Sequence, residues 1–316
     1  MSELKLMKGN EALAEAAIRC GTDAYFGYPI TPQSEVIEYL MTERPENRTG
    51  MVVLQAESEI AAINMVYGAA GTGKKVLTSS SSPGISLKLE GVSYMAGAEL
   101  PAVIVNVVRG GPGLGTIQPS QADYFQSVKG GGHGDYKLYV LAPASVQEMA
   151  DFVEDAFDIA FKYRAPVLIL SDGLIGQMME KVYLKPQQKR LTNEELIEKY
   201  GDWATTGKPK TRERNIITSL DLDSEKMEVR ELGRAKGIKV GLLRPITLFP
   251  FPKDQILELT DQVKGILSVE LNAGQMVEDV QLSAQFKVPV EHFGRTGGII
   301  HTPEEILEAL EQKIIK

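Results

Sequence analysis

The chain has 316 residues and a mass of 34.6 kDa, a length that points to about two domains. Its 42 acidic against 34 basic residues leave a formal charge of −8, which argues against a general nucleic-acid binder. Apolar types make up 43%, enough for sizeable cores, and the single cysteine, Cys20, excludes an intrachain disulfide framework and a cysteine-held iron–sulfur cluster.

No apolar run reaches membrane-spanning length, and Met1-Ser2-Glu3-Leu4-Lys5 lacks the apolar core of a secretory signal. The expectation is a cytoplasmic α/β protein. Residues Asn10 to Arg19 are alanine- and leucine-rich at helical spacing, and Gly21 stands where that helix ends. Ala24 to Tyr28 reads as a short strand entering the turn Pro29-Ile30-Thr31-Pro32. A helix is expected from about Gln33 to Met41, a buried strand at Met51 to Leu54, and a helix from about Ser58 to Ala70. Lys75 to Thr78 continues the alternation into the loop Ser79 to Gly84, where Ser82 and Pro83 are placed as N-cap and first residue of a further helix. Val103 to Val108 is almost wholly apolar, the pattern of a central strand covered on both faces. Ser145 and Glu148 stand at capping-box spacing, ahead of a helix with Met149, Phe152, Val153, Ala156 and Phe157 on one face. Val167 to Leu170 follows as a strand.

This alternation predicts a mostly parallel sheet with helices on both faces. Residues 185–230 turn polar and read as a linker or wrapping segment. Past Gly237 the alternation resumes, with Lys239 to Leu243 as a strand, a helix from Lys253, a strand at Ile266 to Val269, and a last helix opening near Thr302-Pro303.

Several motifs look chemical and are better read as structure. Gly68 to Lys75 resembles a phosphate-binding loop, but its last position is Lys75 rather than Ser or Thr, and it follows a helix; a glycine turn from helix to strand is expected. Gly110 to Gly115 holds a proline and lacks the acidic partner of a dinucleotide fingerprint. His133, His292 and His301 have no zinc-ligand spacing, and Ser80 to Ser82 has no nucleophile-elbow pattern. The basic run Lys208 to Arg212 reads as a solvated linker.

Three residues carry a chemical reading. Glu59 falls on the stripe of Ala62, Ile63, Val66 and Ala70, whereas Glu57 lies roughly 200° away around the helix and can point to water. A carboxylate on a buried face is costly without a partner. It either pairs with backbone amides of the helix start or exchanges a proton with a buried nitrogen heterocycle. Arg109 ends the most apolar strand at the edge where parallel sheets place ligands, and fits either a bidentate carboxylate clamp or a structural ion pair. Thr31, in its proline-bracketed turn, offers a hydroxyl or serves the turn alone.

Taken together, Gly27-Tyr28-Pro29-Ile30-Thr31-Pro32-Gln33-Ser34-Glu35, Glu57-Ser58-Glu59-Ile60-Ala61-Ala62 and Thr78 to Gly84 resemble a known family. So do Arg109 to Gly115, Gln118 to Asp123 and Gly132 to Tyr136. The chain resembles the alpha subunit of the 2-oxoacid:ferredoxin oxidoreductases, most closely the 2-oxoisovalerate (3-methyl-2-oxobutanoate) type, with the 2-oxoglutarate type next. The resemblance implies a thiamine diphosphate enzyme that converts a 2-oxoacid and coenzyme A to acyl-CoA, passing electrons to ferredoxin. It implies a pyrimidine-binding parallel α/β domain over residues 1–185, a linker or wrapping segment over 186–230, and a smaller transketolase C-terminal-like domain over 231–316.

By that resemblance Glu59 is the catalytic glutamate that hydrogen-bonds the cofactor's pyrimidine N1′, with Tyr28, Pro29 and Ser81 also against the cofactor. Thr31 and Arg109 match positions that bind the substrate carboxylate and keto group. No metal site is expected on this chain, which has no Gly-Asp-Gly motif; Ser171-Asp172-Gly173 is a poor substitute. A beta subunit is expected to hold the diphosphate and Mg2+, with iron–sulfur clusters also on partner subunits, and gamma and delta subunits complete the implied complex. One departure stands out: between about Leu222 and Gly237 the chain is short of an expected strand, glycine turn and helix. That shortening favours one other reading, a non-catalytic scaffold with a degenerate thiamine fold; a 2-oxoacid decarboxylase subunit without ferredoxin is a further alternative.

Overall fold

The computed structural model describes residues 3–129, 131–207, 213–220, 238–243, 251–270, 274, 276–294 and 301–315. The chain divides into two units, Met1–Ser219 and Leu220–Lys316. The first opens with β1 (Glu3–Lys8) and helix α1 (Gly9–Arg19), which Gly21 ends at φ +78°.

A six-stranded parallel sheet follows: β2 (Ala24–Gly27), β3 (Val52–Gln55), β4 (Val76–Ser80), β5 (Ala102–Val108), β6 (Tyr139–Leu141) and β7 (Pro166–Asp172). Its order is β3-β2-β4-β5-β7-β6. β4 and β5 are buried throughout and β7 nearly so, which is why they read as unbroken apolar runs. Alternate residues feed two cores. Leu77, Val103, Val105, Val167 and Ile169 face α1 and α7 (Val146–Tyr163), which contribute Leu13, Ile18, Met149, Val153 and Phe157. Val76, Ala102, Ile104 and Leu168 face α4 (Glu59–Ala70) and α5 (Ser82–Gly97), which contribute Ile63, Val66, Ile85, Val92 and Met95.

Two shorter helices, α2 (Ser34–Glu43) and α3 (Pro45–Arg48), connect β2 to β3, and α6 (Tyr124–Val128) sits in the long segment after β5. The near-miss phosphate loop is the expected turn: α4 ends at Ala70, Gly73 takes φ +79°, and β4 begins at Val76. Its lysines serve structure, with Lys75 Nζ donating to the Cys20 carbonyl at 3.0 Å and Lys74 pairing with Asp23. Ser82, expected as the cap of α5, is instead its first residue, and Ser81 holds the cap position. The Ser82 hydroxyl is drawn away by the Arg109 backbone, accepting from its N–H at 3.1 Å and donating to its carbonyl at 3.2 Å.

After β7, helix α8 (Gly173–Gln177) leads into β8 (Met179–Leu184), which pairs antiparallel with β1 from Glu3↔Leu184 to Lys8↔Met179. The polar segment that follows packs along this unit. Gln188 N donates to the Arg19 carbonyl, Arg190 Nε to Asp23, and Thr205 N to the Gly71 carbonyl. Within it α9 (Asn193–Tyr200) has a full capping box from Thr192 and Glu195.

In the second unit β9 (Ile266–Glu270) and β10 (Val290–Gly294) pair in parallel, with α10 (Lys253–Leu259) and α11 (Met276–Ala284) closing a core of Ile256, Val277, Val280, Ala284 and Val290. The Glu270 carboxylate accepts the first N–H groups of α11, Met276 and Val277, at 2.8 Å each. The final helix α12 (Pro303–Leu310) opens on the expected Thr302 cap. Lys239 to Leu243, expected as a strand, is not one in the structure: residues 238–243 are irregular and largely exposed, with no ladder partner among the described residues. The basic run Lys208 to Arg212 and the shortened stretch from about Leu222 to Gly237 lie outside the described residues. No described helix is long and apolar enough to cross a membrane.

Candidate active site

Strand order reverses at β2, with β3 on one side and β4 on the other. Open parallel sheets bind ligands outside the carboxyl ends of the strands at such a point. The turn Tyr28 to Gln33 follows β2, Ala56 to Ser58 and then Glu59 follow β3, Ser81 follows β4 and Arg109 follows β5, so Tyr28, Pro29, Thr31, Glu59, Ser81 and Arg109 come to this one edge.

The turn after β2 is braced from beneath. Tyr25 and Ser79 hydroxyls meet at 2.7 Å, and Ser79 Oγ donates to Gln33 Oε1. Gln33 Nε2 in turn donates to the Tyr28 carbonyl at 3.1 Å. Ser79 gives its proton to Gln33, so Tyr25 donates to Ser79; burial pushes the Tyr25 phenol up and keeps that proton in place. From the far side Asn10 Nδ2 and Gln177 Nε2 both donate to the Pro32 carbonyl, at 2.7 and 3.0 Å. Tyr28 and Pro29 are half-buried on this support, and Thr31 is exposed at its tip.

Glu59 is the first residue of α4 and is 6% exposed. The buried residues of that helix are Glu59, Ala62, Ile63, Val66 and Ala70, the stripe read from the sequence, and Glu57 is exposed. Ser58 Oγ caps the helix by accepting from Ala61 N at 3.2 Å. The Glu59 carboxylate accepts none of the first-turn amides, nor any other hydrogen bond among the described residues. It lies instead against the backbone of Gly84, where a Cβ would stand 2.7 Å from Glu59 Oε1 and 2.1 Å from Ser80 Oγ.

Arg109 is 6% exposed and ties two loops together. Its Nη1 donates to the Thr31 carbonyl at 2.9 Å and its Nη2 to the Leu114 carbonyl at 2.8 Å, while the buried Nε–H has no partner. Asn106 anchors the same rim, accepting from Ser82 N at 3.1 Å and donating to Asp123 at 2.9 Å. Thr31 and Arg109 are thus adjacent, and Thr31 is exposed.

Sequence reading missed Lys88, on α5. It is fully buried, and its Nζ donates to Thr78 Oγ1 at 2.6 Å. Burial pushes this amine down to about 7, against the opposing pull of the Glu59 carboxylate. The signal was there: Ile85, Lys88, Val92 and Met95 share one stripe, the pattern that singled out Glu59.

The polar groups at this edge fit a cofactor carrying a nitrogen heterocycle. Ser80 and Ser81 hydroxyls are buried without a partner, beside a buried carboxylate that accepts no hydrogen bond. Among the described residues no three His, Cys, Asp or Glu side chains converge as a metal site would need.

Two family models match the chain: pyruvate flavodoxin/ferredoxin oxidoreductase, thiamine diphosphate-binding, over residues 15–236, and pyruvate:ferredoxin oxidoreductase core domain II over residues 216–306. The ketoisovalerate oxidoreductase subunit VorB of Methanothermobacter thermautotrophicus is 44% identical, covering 98% of this chain and 97% of the relative. The 2-oxoglutarate synthase subunit KorA of Archaeoglobus fulgidus is 34% identical, covering 99% of this chain and all of the relative. The VorB alignment runs over 354 positions against 316 residues here, so the relative carries at least 354 − 316 = 38 internal positions that this chain lacks. Among solved structures, 2-oxoglutarate:ferredoxin oxidoreductase from Magnetococcus marinus, with 2-oxoglutarate, coenzyme A and succinyl-CoA bound, superposes with a TM-score of 0.60 at 26% identity, covering 98% of this chain and 65% of that one. The chain belongs to the 2-oxoacid:ferredoxin oxidoreductases, as a subunit with the family's thiamine diphosphate-binding fold.

Proposed function

We propose that this chain, over residues 1–185, is the pyrimidine-side subunit of an enzyme that oxidatively decarboxylates a branched 2-oxoacid, 2-oxoisovalerate, to its acyl-CoA. The carbon–carbon bond to the carboxylate breaks to give carbon dioxide, the acyl group passes to the CoA sulfur, and two electrons pass to ferredoxin. The observation that carries this reading is Glu59, buried at the start of α4 without a hydrogen bond of its own and beside the unpartnered hydroxyls of Ser80 and Ser81. The 44% identity to a ketoisovalerate oxidoreductase subunit, against 34% to a 2-oxoglutarate synthase subunit, favours the branched substrate over the dicarboxylic one.

Thiamine diphosphate supplies, when bound, a nucleophilic carbon and a sink for the electrons left by decarboxylation. Glu59 would serve as the proton-exchanging carboxyl against the pyrimidine nitrogen of that cofactor, in a buried position suited to the transfer. Tyr28 and Pro29, fixed by Gln33, shape the wall beside the ring, and Ser81 offers its unused hydroxyl. Arg109 presents its unpartnered Nε–H, and Thr31 its hydroxyl, to the carboxylate and keto group of the 2-oxoacid. The smaller unit, on this reading, is the transketolase C-terminal-like domain of residues 231–316, joined through 186–230.

The diphosphate, Mg2+ and iron–sulfur clusters belong, on this reading, to partner subunits: a beta subunit and, beyond it, gamma and delta subunits, in a cytoplasmic complex. Helix α4 supports a partner at this edge, because it is apolar on its outer side too, with Ile60 and Met65 exposed. The test is an anaerobic assay of the native complex isolated through this chain, following CoA-dependent viologen reduction with a panel of 2-oxoacids. Preference for 2-oxoisovalerate is the expected result. Aldehyde made without CoA points to a simple decarboxylase, and silence with cofactor and partners present to a scaffold.

A further inference from the structure

Strand β5 carries one polar side chain, Asn106, in a run that is otherwise alanine, valine and isoleucine and is buried throughout. It sits in register between Ser80 of β4 and Leu170 of β7, on the same strand face as Ile104, which packs against α4 and α5. An amide buried at mid-strand is costly unless its polar atoms are met. Here Oδ1 accepts from Ser82 N at 3.1 Å, and Nδ2 donates to Asp123 Oδ2 at 2.9 Å. A backbone N–H on one side and a carboxylate on the other leave the amide one orientation.

The two contacts lie at opposite ends of one excursion of the chain. Ser82 N is among the orphan amides of the first turn of α5, and Ser81, at the cap position, makes no side-chain bond to that turn. The Ser82 hydroxyl meets both the N–H and the carbonyl of Arg109, so Asn106 reaches Arg109 through Ser82. Asp123 stands at the far end of the loop that Arg109 begins, as the cap residue of α6. Between them Gly110 N donates to the Gln118 carbonyl at 3.0 Å and Thr116 N to the Gly110 carbonyl at 2.7 Å, folding the loop back on itself. The Leu114 carbonyl that accepts from Arg109 Nη2 lies inside this fold. A valine or leucine would complete the strand face but could hold neither end, so packing alone does not account for Asn106.

We propose that Asn106 is a positioning residue for Arg109, a buried latch that holds Ser82 with one end of its amide and Asp123 with the other. It thereby fixes both the Arg109 backbone and the loop whose Leu114 carbonyl orients the guanidinium toward the carboxylate of the 2-oxoacid. The inference rests on the reading of Arg109 as the residue that meets that carboxylate.

The latch is tested in the assembled enzyme with a pair of exchanges. Asn106→Asp keeps the acceptor for Ser82 N but sets a second carboxyl against Asp123. It is expected to raise KM for the 2-oxoacid at least about tenfold, with kcat and the KM for CoA little changed. Amide hydrogen exchange across residues 110–123 is expected to quicken at least about tenfold in the same variant. Combining Asn106→Asp with Asp123→Asn swaps the two groups and restores both hydrogen bonds, since the new carboxylate accepts from Ser82 N and from the new amide; KM and exchange are expected to return toward their original values. A swap that leaves KM as high as Asn106→Asp alone overturns the proposal, because a merely structural amide would not be rescued by the exchange of its partner. Where Asn106→Asp does not fold, Asp123→Ala cuts the latch from the loop end, and an unmoved KM there also overturns it. Arg109→Lys separates the two readings: KM raised by Arg109→Lys but not by either latch variant strikes the latch alone, whereas KM unmoved in all of them strikes the substrate role of Arg109, and the proposal falls with it.

Discussion

The Arg109 guanidinium and the Thr31 carbonyl, 78 residues apart in the chain, meet at 2.9 Å. Through its other terminal nitrogen Arg109 also holds the Leu114 carbonyl at 2.8 Å, so one side chain ties the turn after β2 to the glycine loop after β5. The residue that the sequence marks for substrate is therefore also the clasp of the rim.

Arg109→Lys tests that double duty. Lysine keeps the charge but offers one ammonium where two carbonyls are met by separate N–H groups of a rigid fork. The KM for the 2-oxoacid in the assembled enzyme is expected to rise at least about tenfold, since a charged hydrogen bond contributes about 1.5–3 kcal/mol. Proteolysis between Gly110 and Gly115 is expected to quicken in parallel. Unchanged KM and unchanged cleavage together would remove Arg109 from both roles.

Glu59→Ala addresses the chemistry without threatening the fold. The carboxylate is buried yet accepts no hydrogen bond among the described residues, so its removal leaves no buried amide orphaned. Turnover of the assembled enzyme is expected to fall by about a hundredfold or more, with the thermal midpoint of the chain unchanged or raised. Normal rates in a properly assembled mutant complex would show that Glu59 does not handle the proton.

What the sequence displays and what it hides follow from range. Val103 to Val108 and Val167 to Leu170 read as central strands because both their faces are covered, and the Glu59 stripe reads as buried because helical periodicity is local. β1, β6 and β8 are largely exposed, and β6 has only three residues, so they carry no unbroken apolar run. The brace under the turn is hidden for another reason: Gln177 reaches Pro32 across 145 residues, and Ser79 reaches Gln33 across 46. Such pairs leave no mark in a window of neighbouring residues. Lys88 did leave one, as a charge on the apolar stripe of α5.

Gly84→Ala is expected to disturb the site from behind. The added Cβ would meet Ser80 Oγ at 2.1 Å, Glu59 Oε1 at 2.7 Å and Glu59 Cγ at 3.1 Å, so both side chains would have to shift. The cost is about 1–3 kcal/mol in thermal or denaturant unfolding, and thiamine diphosphate should bind at least about tenfold more weakly by titration calorimetry of the complex. Gly68→Ala is the control: nothing lies within 4 Å of its Cβ, and alanine in mid-helix adds about 0.5–1 kcal/mol of stability. Equal behaviour of the two variants would mean that Gly84 is not packed against Glu59.

Acid sensitivity should trace to Glu15, on the opposite face of the sheet from α4. Burial alone would raise its carboxyl, but hydrogen bonds from Arg48 and then Arg19 outweigh it and hold the group below its ordinary value of 4.5. Arg48 grips it with two nitrogens at 2.9 Å, Arg19 Nε donates at 2.6 Å, and the Tyr39 hydroxyl donates at 3.2 Å. Because the folded-state value is depressed, the contribution is complete above the unfolded value and is lost as pH falls below about 4.5 toward the folded one. Glu15→Gln is expected to lower stability by about 1.5–3 kcal/mol at pH 7, the range for hydrogen bonds to a charged group. The deficit should shrink steadily below pH 4.5, where the unfolded chain takes up a proton at Glu15 before the folded one does. Denaturant midpoints of both proteins at pH 7, 5, 4 and 3 measure this directly, and a deficit that stays constant with pH would assign the stability to packing rather than to the Arg48 and Arg19 pairings.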